Sequence, residues 1–336
     1  MGFTITNALA LISTLAISGI LYQQFESKKQ RNEALSSNNI DKIMQDRYTL
    51  NSDKLHKSKL PILWIYVPYK INDRHWVSFG SRNTRDLNQP YLNLTVKTII
   101  AQCSKSFTIC IVDDTSFSKL LPDWRVNLQK VAAPISDNIQ QLCMIKLLHT
   151  YGGLVCPISF TCLKDLREMY VEGTCDNTKM FVCNINNRRP YIHKDVDSAP
   201  TITFCGAPPK HDQVGELVKF MEYAILRDQS AETEFNSIYN RWINTGTINK
   251  QMINHIDEVQ IGVKTAERKN IYLSDLMSNQ YLDVDKNAYG ILLPSDEILA
   301  SHEFIRFAKM TEKEVLESNT AIGKYLLIAC GEFCQP

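Results

Sequence analysis

The chain has 336 residues, enough for one large α/β domain or two small ones with a full hydrophobic core. Its 37 basic and 36 acidic residues leave a net charge of +1, so no overall field draws it toward nucleic acid or another polyanion. That balance argues against a nucleic-acid partner.

Residues 3–22 carry no charge and run through Leu9, Leu11, Ile12, Leu15, Ile17, Ile20 and Leu21, close to the length of about 20 residues that spans a hydrocarbon core. This reads as a single transmembrane anchor. A cleaved signal peptide is the alternative, but it calls for a basic residue before the apolar run, and Lys28, Lys29 and Arg31 come after it instead. The positive-inside tendency then puts the large C-terminal part on the cytosolic side. Met1-Gly2 with Thr6 fits the loose myristoylation pattern, although the same charge bias puts Gly2 across the membrane. Residues 26–59 are polar and read as a stalk, and residues 60–336 as one domain. Asn93-Leu94-Thr95 is a glycosylation sequon inside an expected helix and is read as accidental.

Ile62-Leu63-Trp64-Ile65-Tyr66-Val67, ended by Pro68, is an apolar run of strand length and the expected first strand. Residues 72–88 form an irregular loop in which Arg74, His75, Trp76, Arg82 and Arg85 are candidates for contacting an anionic ligand. The alternative, which the composition favours somewhat, is a solvated loop with Trp76 in the core. A helix over 92–102 leads to Phe107-Thr108-Ile109-Cys110-Ile111-Val112, which runs into Asp113 and Asp114. Strand, helix and strand at this spacing predict a parallel unit. In one of two readings, Asp114 caps the turn over 115–120.

The most distinctive stretch is Ile139 to Phe160. Ile139, Leu142, Cys143, Met144, Ile145, Leu147 and Leu148 cover most of a helix circumference, predicting a helix enclosed by protein. Gly152-Gly153 ends it through the left-handed conformation and turns the chain into the strand Leu154-Val155-Cys156. Whatever follows that strand is held at a sheet edge, where α/β proteins place ligands.

This helix, the Tyr151-Gly152-Gly153 turn and the strand resemble the core of GT-A fold glycosyltransferases with an Asp-X-Asp sugar-binding motif, of the capsular-polysaccharide type. The resemblance implies a mixed, mostly parallel sheet flanked by helices, a nucleotide-sugar donor and a glycan or lipid acceptor. It implies, as the other reading of the carboxylates after the second strand, that Asp113 or Asp114 contacts the nucleoside of the donor. It also implies an Asp and an Arg on the helix and a metal-holding Asp-X-Asp after the strand. At those positions this chain has Gln141 and Met144, and Pro157-Ile158-Ser159. Neither Pro157 nor Ser159 offers the charged oxygen that Mg or Mn requires. Asp137, one turn before Gln141, is a partial substitute. The metal assignment is therefore none, with Mn or Mg entering only if carboxylates elsewhere supply a site. The one-span anchor on a degenerate transferase core is also similar to uncharacterised membrane-anchored proteins of large DNA viruses, which implies an internal virion membrane and a protein partner in its capsid.

Further along, a short helix is expected over 163–170, strands over 180–183 and 201–207, and a helix whose stripe is Val214, Leu217, Val218, Met221 and Ile225. The loop over 184–198 holds Arg188 and Arg189, candidate donor contacts, together with His193 and Asp195-Val196-Asp197. That Asp-X-Asp and the one at Asp283-Val284-Asp285 lack the preceding strand and Gly-Gly that would present them to a metal. Trp242 to Thr247 weakly resembles an acceptor-side segment of the same transferases. Short strands over 259–263, 271–273 and 289–293 and a closing helix over 321–329 complete the reading. The ten cysteines, at 103, 110, 143, 156, 162, 175, 183, 205, 330 and 334, lie mostly in apolar runs without a Cys-X-X-Cys pair. They read as reduced core thiols in a cytosol-like compartment. Two functions stay open: sugar transfer from a nucleotide donor, or a retained fold serving as a membrane-tethered scaffold.

Overall fold

Three apolar strands set the frame. In a computed structural model of the chain, β1 (Ile62–Tyr66) is buried along most of its length and bonds on both sides. β2 (Thr108–Val112) and β3 (Gly153–Cys156) flank it, both parallel to it. The helix between β1 and β2 is α1 (Tyr91–Cys103), so the expected parallel unit forms. The structure describes residues 55, 58–68, 89–121, 123–132, 134–186, 198–227, 239, 241–244 and 251–331. The chain divides into Met1–Thr49 and Leu50–Pro336, and every described residue belongs to the second unit.

Beyond β3 the sheet continues through β6 (Ser198–Ala207), β5 (Met180–Asn186) and β7 (Ile253–Ile256), giving the six-stranded order β2-β1-β3-β6-β5-β7. β6 runs antiparallel to both its neighbours, whereas β7 is parallel to β5. The architecture is therefore α/β, with a mixed, mostly parallel sheet. A separate two-stranded ribbon pairs β4 (Phe160–Cys162) with β8 (Gly290–Leu292).

The enclosed helix is α3 (Ile135–Tyr151), with Leu142, Cys143, Met144, Ile145, Leu147 and Leu148 all buried. It packs with α5 (Asp212–Leu226) in one cluster that includes Trp64, Cys110, Val155 and Val182 of the sheet. The α5 stripe is core packing as its spacing predicts, with Val214, Leu217 and Met221 fully covered. Lys146, in the middle of α3, is paired with Glu222 at 2.6 Å and lies over the Trp124 ring. A second cluster gathers α1, β8 and α10 (Ala321–Cys330), with Tyr91 against Phe307 and Leu326 fully buried. Among the described residues no helix is long and apolar enough to cross a membrane; the stretch at 3–22 lies outside them.

Gly152 and Gly153 both take positive φ, +72° and +107°. Gly152 ends α3 with its amide bonded to the Leu148 carbonyl, and the buried Trp64 indole donates to the Gly152 carbonyl at 2.9 Å. A side chain on Gly153 would lie 2.1 Å from the Ile62 carbonyl oxygen. Only glycine fits where β3 enters beside β1.

Several elements depart from expectation. The helix expected at 163–170 is α4 (Arg167–Gly173), since the backbone N–H groups of Leu163 and Lys164 donate to the Tyr289 carbonyl and continue the chain from β4. Residues 259–263 are turns rather than a strand, and Leu273 opens a helix, α6 (Leu273–Met277). The strand of this region is β7, the last strand of the sheet, with Ile253 and Ile256 buried at its two ends and Asn254 and His255 more open between them. The cysteines at 103, 110, 143, 156, 162, 183 and 205 are buried free thiols, and Cys175 is an exposed one. Cys330 departs from the all-thiol reading and is disulfide-bonded.

Candidate functional site at the carboxyl edge of the sheet

Because Tyr66 pairs with Val112 and Ile65 with Cys156, the segments that follow β1, β2 and β3 emerge at one sheet edge. Asp113 and Asp114 follow β2, and Pro157-Ile158-Ser159 follow β3. This is the edge at which open α/β sheets bind ligands.

The two aspartates are employed differently. Asp113 shapes its own turn: its Oδ1 accepts from the Ser116 amide at 2.8 Å, the Ser116 hydroxyl at 2.6 Å and the Thr115 hydroxyl at 2.8 Å. This makes Asp113, and not Asp114, the residue that organises the entry to α2 (Phe117–Leu120). Asp114 Oδ1 accepts from the Tyr66 hydroxyl at 2.7 Å and from the Gln140 amide at 3.1 Å, tying β1, β2 and α3 together. The Tyr66 ring stacks on Phe117 with centroids 6.0 Å apart. Burial above all, then the hydrogen bond to Asp114 and the charges of Asp114, Asp137 and Asp113, push the Tyr66 phenol well above its ordinary range. It remains a neutral donor.

The positions where the resemblance asks for charge are filled otherwise. Met144 is buried in the core, and Gln141 keeps a buried side-chain oxygen without a hydrogen-bond partner among the described residues. The Ile158 carbonyl accepts from the Thr95 hydroxyl, and the Ser159 carbonyl from the Leu293 amide at 3.0 Å. Ser159 is itself buried. The segment after β3 is thus fastened by its backbone to α1 and to the chain just after β8. Asp283 and Asp285 lie in a loop, where Asp285 accepts from the Asn287 amide. Among the described residues no group of three or more His, Cys, Asp or Glu is placed to hold a metal ion. The described segment after β3 therefore offers Mg or Mn no charged oxygen.

No family model, curated protein or solved structure matches the chain. The reading of the site therefore rests on its residues.

The edge offers Asp113 and Asp114, each with a second carboxylate oxygen that has no partner among the described residues. Such oxygens accept hydrogen bonds from hydroxyl or N–H groups of a ligand. They repel a diphosphate unless cations or a metal stand between. The candidate cations Arg82, Arg85, Arg188 and Arg189, with Arg74, His75, Trp76, His193, Asp195, Asp197 and residues 245–247, lie outside the described residues. Sequence reasoning missed Tyr66 and Gln140, the partners that position Asp114. The only signal was a phenol at the end of an otherwise apolar strand.

Proposed function

We propose that this chain is a membrane-anchored, glycosyltransferase-like protein of GT-A type that has kept the fold and lost metal-dependent sugar transfer, leaving a tethered binding or scaffold protein. The observation that carries this reading is the segment Pro157-Ile158-Ser159, which ends the strand after Gly152-Gly153 without a carboxylate and with Ser159 buried. Transfer from a nucleotide sugar needs the departing diphosphate stabilised, by a metal or by cations. The loss extends to α3, where Gln141 and Met144 stand for the charged pair. The uncharged stretch at 3–22 supplies the anchor, with the domain on the cytosolic side. A scaffold of this kind suits the resemblance to anchored proteins of large DNA viruses, in which it would join an internal virion membrane to a capsid protein.

A second reading, metal-free transfer, draws on the open carboxylate oxygens of Asp113 and Asp114 at the same edge. Asp113 or Asp114 would hold the nucleoside, and Arg82, Arg85, Arg188 and Arg189 would neutralise the diphosphate. Calorimetric titration of the full chain in detergent with UDP-sugars and GDP-sugars, each with and without Mn, separates the two. The scaffold reading expects no binding of either donor. Binding without metal that disappears on replacing Arg188 and Arg189 with Ala would establish the second reading, and Mn-dependent binding would overturn both.

A further inference from the structure

The opposite edge of the sheet carries a pocket of about 390 Å³. Its walls are Leu55 and the approach to β1 from Ser58 to Ile62, the end of α3 with Gly153, one side of α4 and the turn that follows it. Ile62, Tyr151, Gly153 and Tyr170 line it and are buried. Its exposed lining includes Lys59 and Arg167, and neither cation has an ion-pair partner among the described residues. The Arg167 charge reaches the Tyr170 phenol and opposes the upward push that burial gives it.

The turn after α4 is unusual. Cys175, Asp176 and Asn177 take φ of +44°, +53° and +69° in succession, a left-handed run that L-residues avoid. Asp176 and Asn177 both line the pocket. The amides of Cys175 and Asp176 are satisfied by Glu172 and Val171 carbonyls, whereas the backbone N–H and side-chain amide of Asn177 have no partner among the described residues. The turn thus holds the Asn177 donors on the same rim as two cations that lack an ion-pair partner among the described residues, a combination that suits an anion.

We propose that this pocket binds a phosphate ester carried on an apolar body. Arg167 pairs with phosphate oxygens in bidentate fashion and Lys59 acts as a point charge. Asn177 donates from the strained turn, and Leu55, Leu60, Pro61, Ile62 and Val171 receive the apolar part. Asp176 on the same rim holds the affinity down. A membrane lipid headgroup and a soluble phosphate ester share this chemistry. The site is separate from the carboxyl edge and stands whether or not that edge binds a nucleotide sugar.

The test is calorimetric titration of the full chain in detergent with dioctanoyl phosphatidic acid, inorganic phosphate and dioctanoyl phosphatidylcholine. Phosphatidic acid should bind, and the double variant Lys59→Ala with Arg167→Gln should weaken it by about tenfold or more. Asp176→Asn, which tolerates the same backbone, should tighten it by about two- to fivefold. Opposite signs from two rim changes are not produced by a general loss of structure. Binding of phosphatidic acid above inorganic phosphate identifies a lipid source, and equal binding of the two identifies a soluble one. No binding of either phosphatidic acid or inorganic phosphate, equal binding of phosphatidylcholine, or no tightening in Asp176→Asn would overturn the proposal.

Discussion

At the scale of single residues, the side chains that matter most are those whose surroundings alter their chemistry. His149, in the last turn of α3, has its imidazole held below the ordinary value of 6.5, first by burial, with the charges of His211, Lys210 and Lys219 adding to the effect and Asp212 opposing it. His255 on β7 is lowered as well, by burial. A histidine whose folded pKa is depressed binds fewer protons in the native state than in the unfolded one, so stability rises with pH across that interval. The stability of the domain in urea should therefore be full near pH 7 and fall as pH drops below about 6.5, where unfolded histidine gains its proton. His149→Gln should flatten that fall, and an unchanged slope in the variant would remove His149 from the account. The buried thiols behave in the opposite sense: Cys110 and Cys205 are each pushed up to about 12 by burial, so both stay neutral and unreactive in the folded chain.

At the scale of elements, the junction of α3 and β3 is the feature most legible in the sequence. Gly152-Gly153 at the end of a run of apolar residues called for a helix stop and a buried strand; both form, the stop at positive φ with an extended ψ of −170° rather than in the left-handed helical conformation. The reason they must be glycine is tertiary. Gly153 lies so near the Ile62 carbonyl that a methyl group cannot enter without parting β3 from β1. Gly153→Ala should cost about 3 kcal/mol or more, combining steric overlap with backbone strain. Gly331, at φ +52° and ψ −129° but with nothing within 4 Å of an added Cβ among the described residues, provides the comparison: Gly331→Ala should cost about 1–3 kcal/mol, from conformation alone. Thermal denaturation of the two variants checks the difference, and equal losses would show that conformation alone, not contact, governs the junction. The weaker elements were illegible for a different reason. The region from 251 to 293 contains β7, α6 and β8, all short, with turns between them. Runs of three to five residues carry too little periodicity to separate strand from turn. Their state is set by the partner they find: β5 for β7, and β4 for β8.

At the scale of the whole molecule, the mixed sheet and its helices bury seven free thiols and leave Cys175 exposed among the described residues. Native-state alkylation followed by peptide mapping should therefore mark Cys175 rapidly, and the remaining free thiols only after denaturation. Fast labelling of Cys103 or Cys162, whose sulfurs lie 3.8 Å apart between α1 and β4, would show that this side of the domain opens under native conditions.

The sequence by itself determined the α/β class, the order of the first strands and helices, the enclosed character of α3 and the absence of carboxylates after β3. Each of those depends on local apolar spacing or on residue identity, which need no partner to be read. Tertiary structure alone decided that β6 runs against its neighbours, that Asp114 is held by Tyr66 and Gln140, and that Lys59, Arg167 and Asn177 meet around one pocket. Those arrangements join residues tens to more than a hundred positions apart, and only packing of the sheet brings such residues into reach.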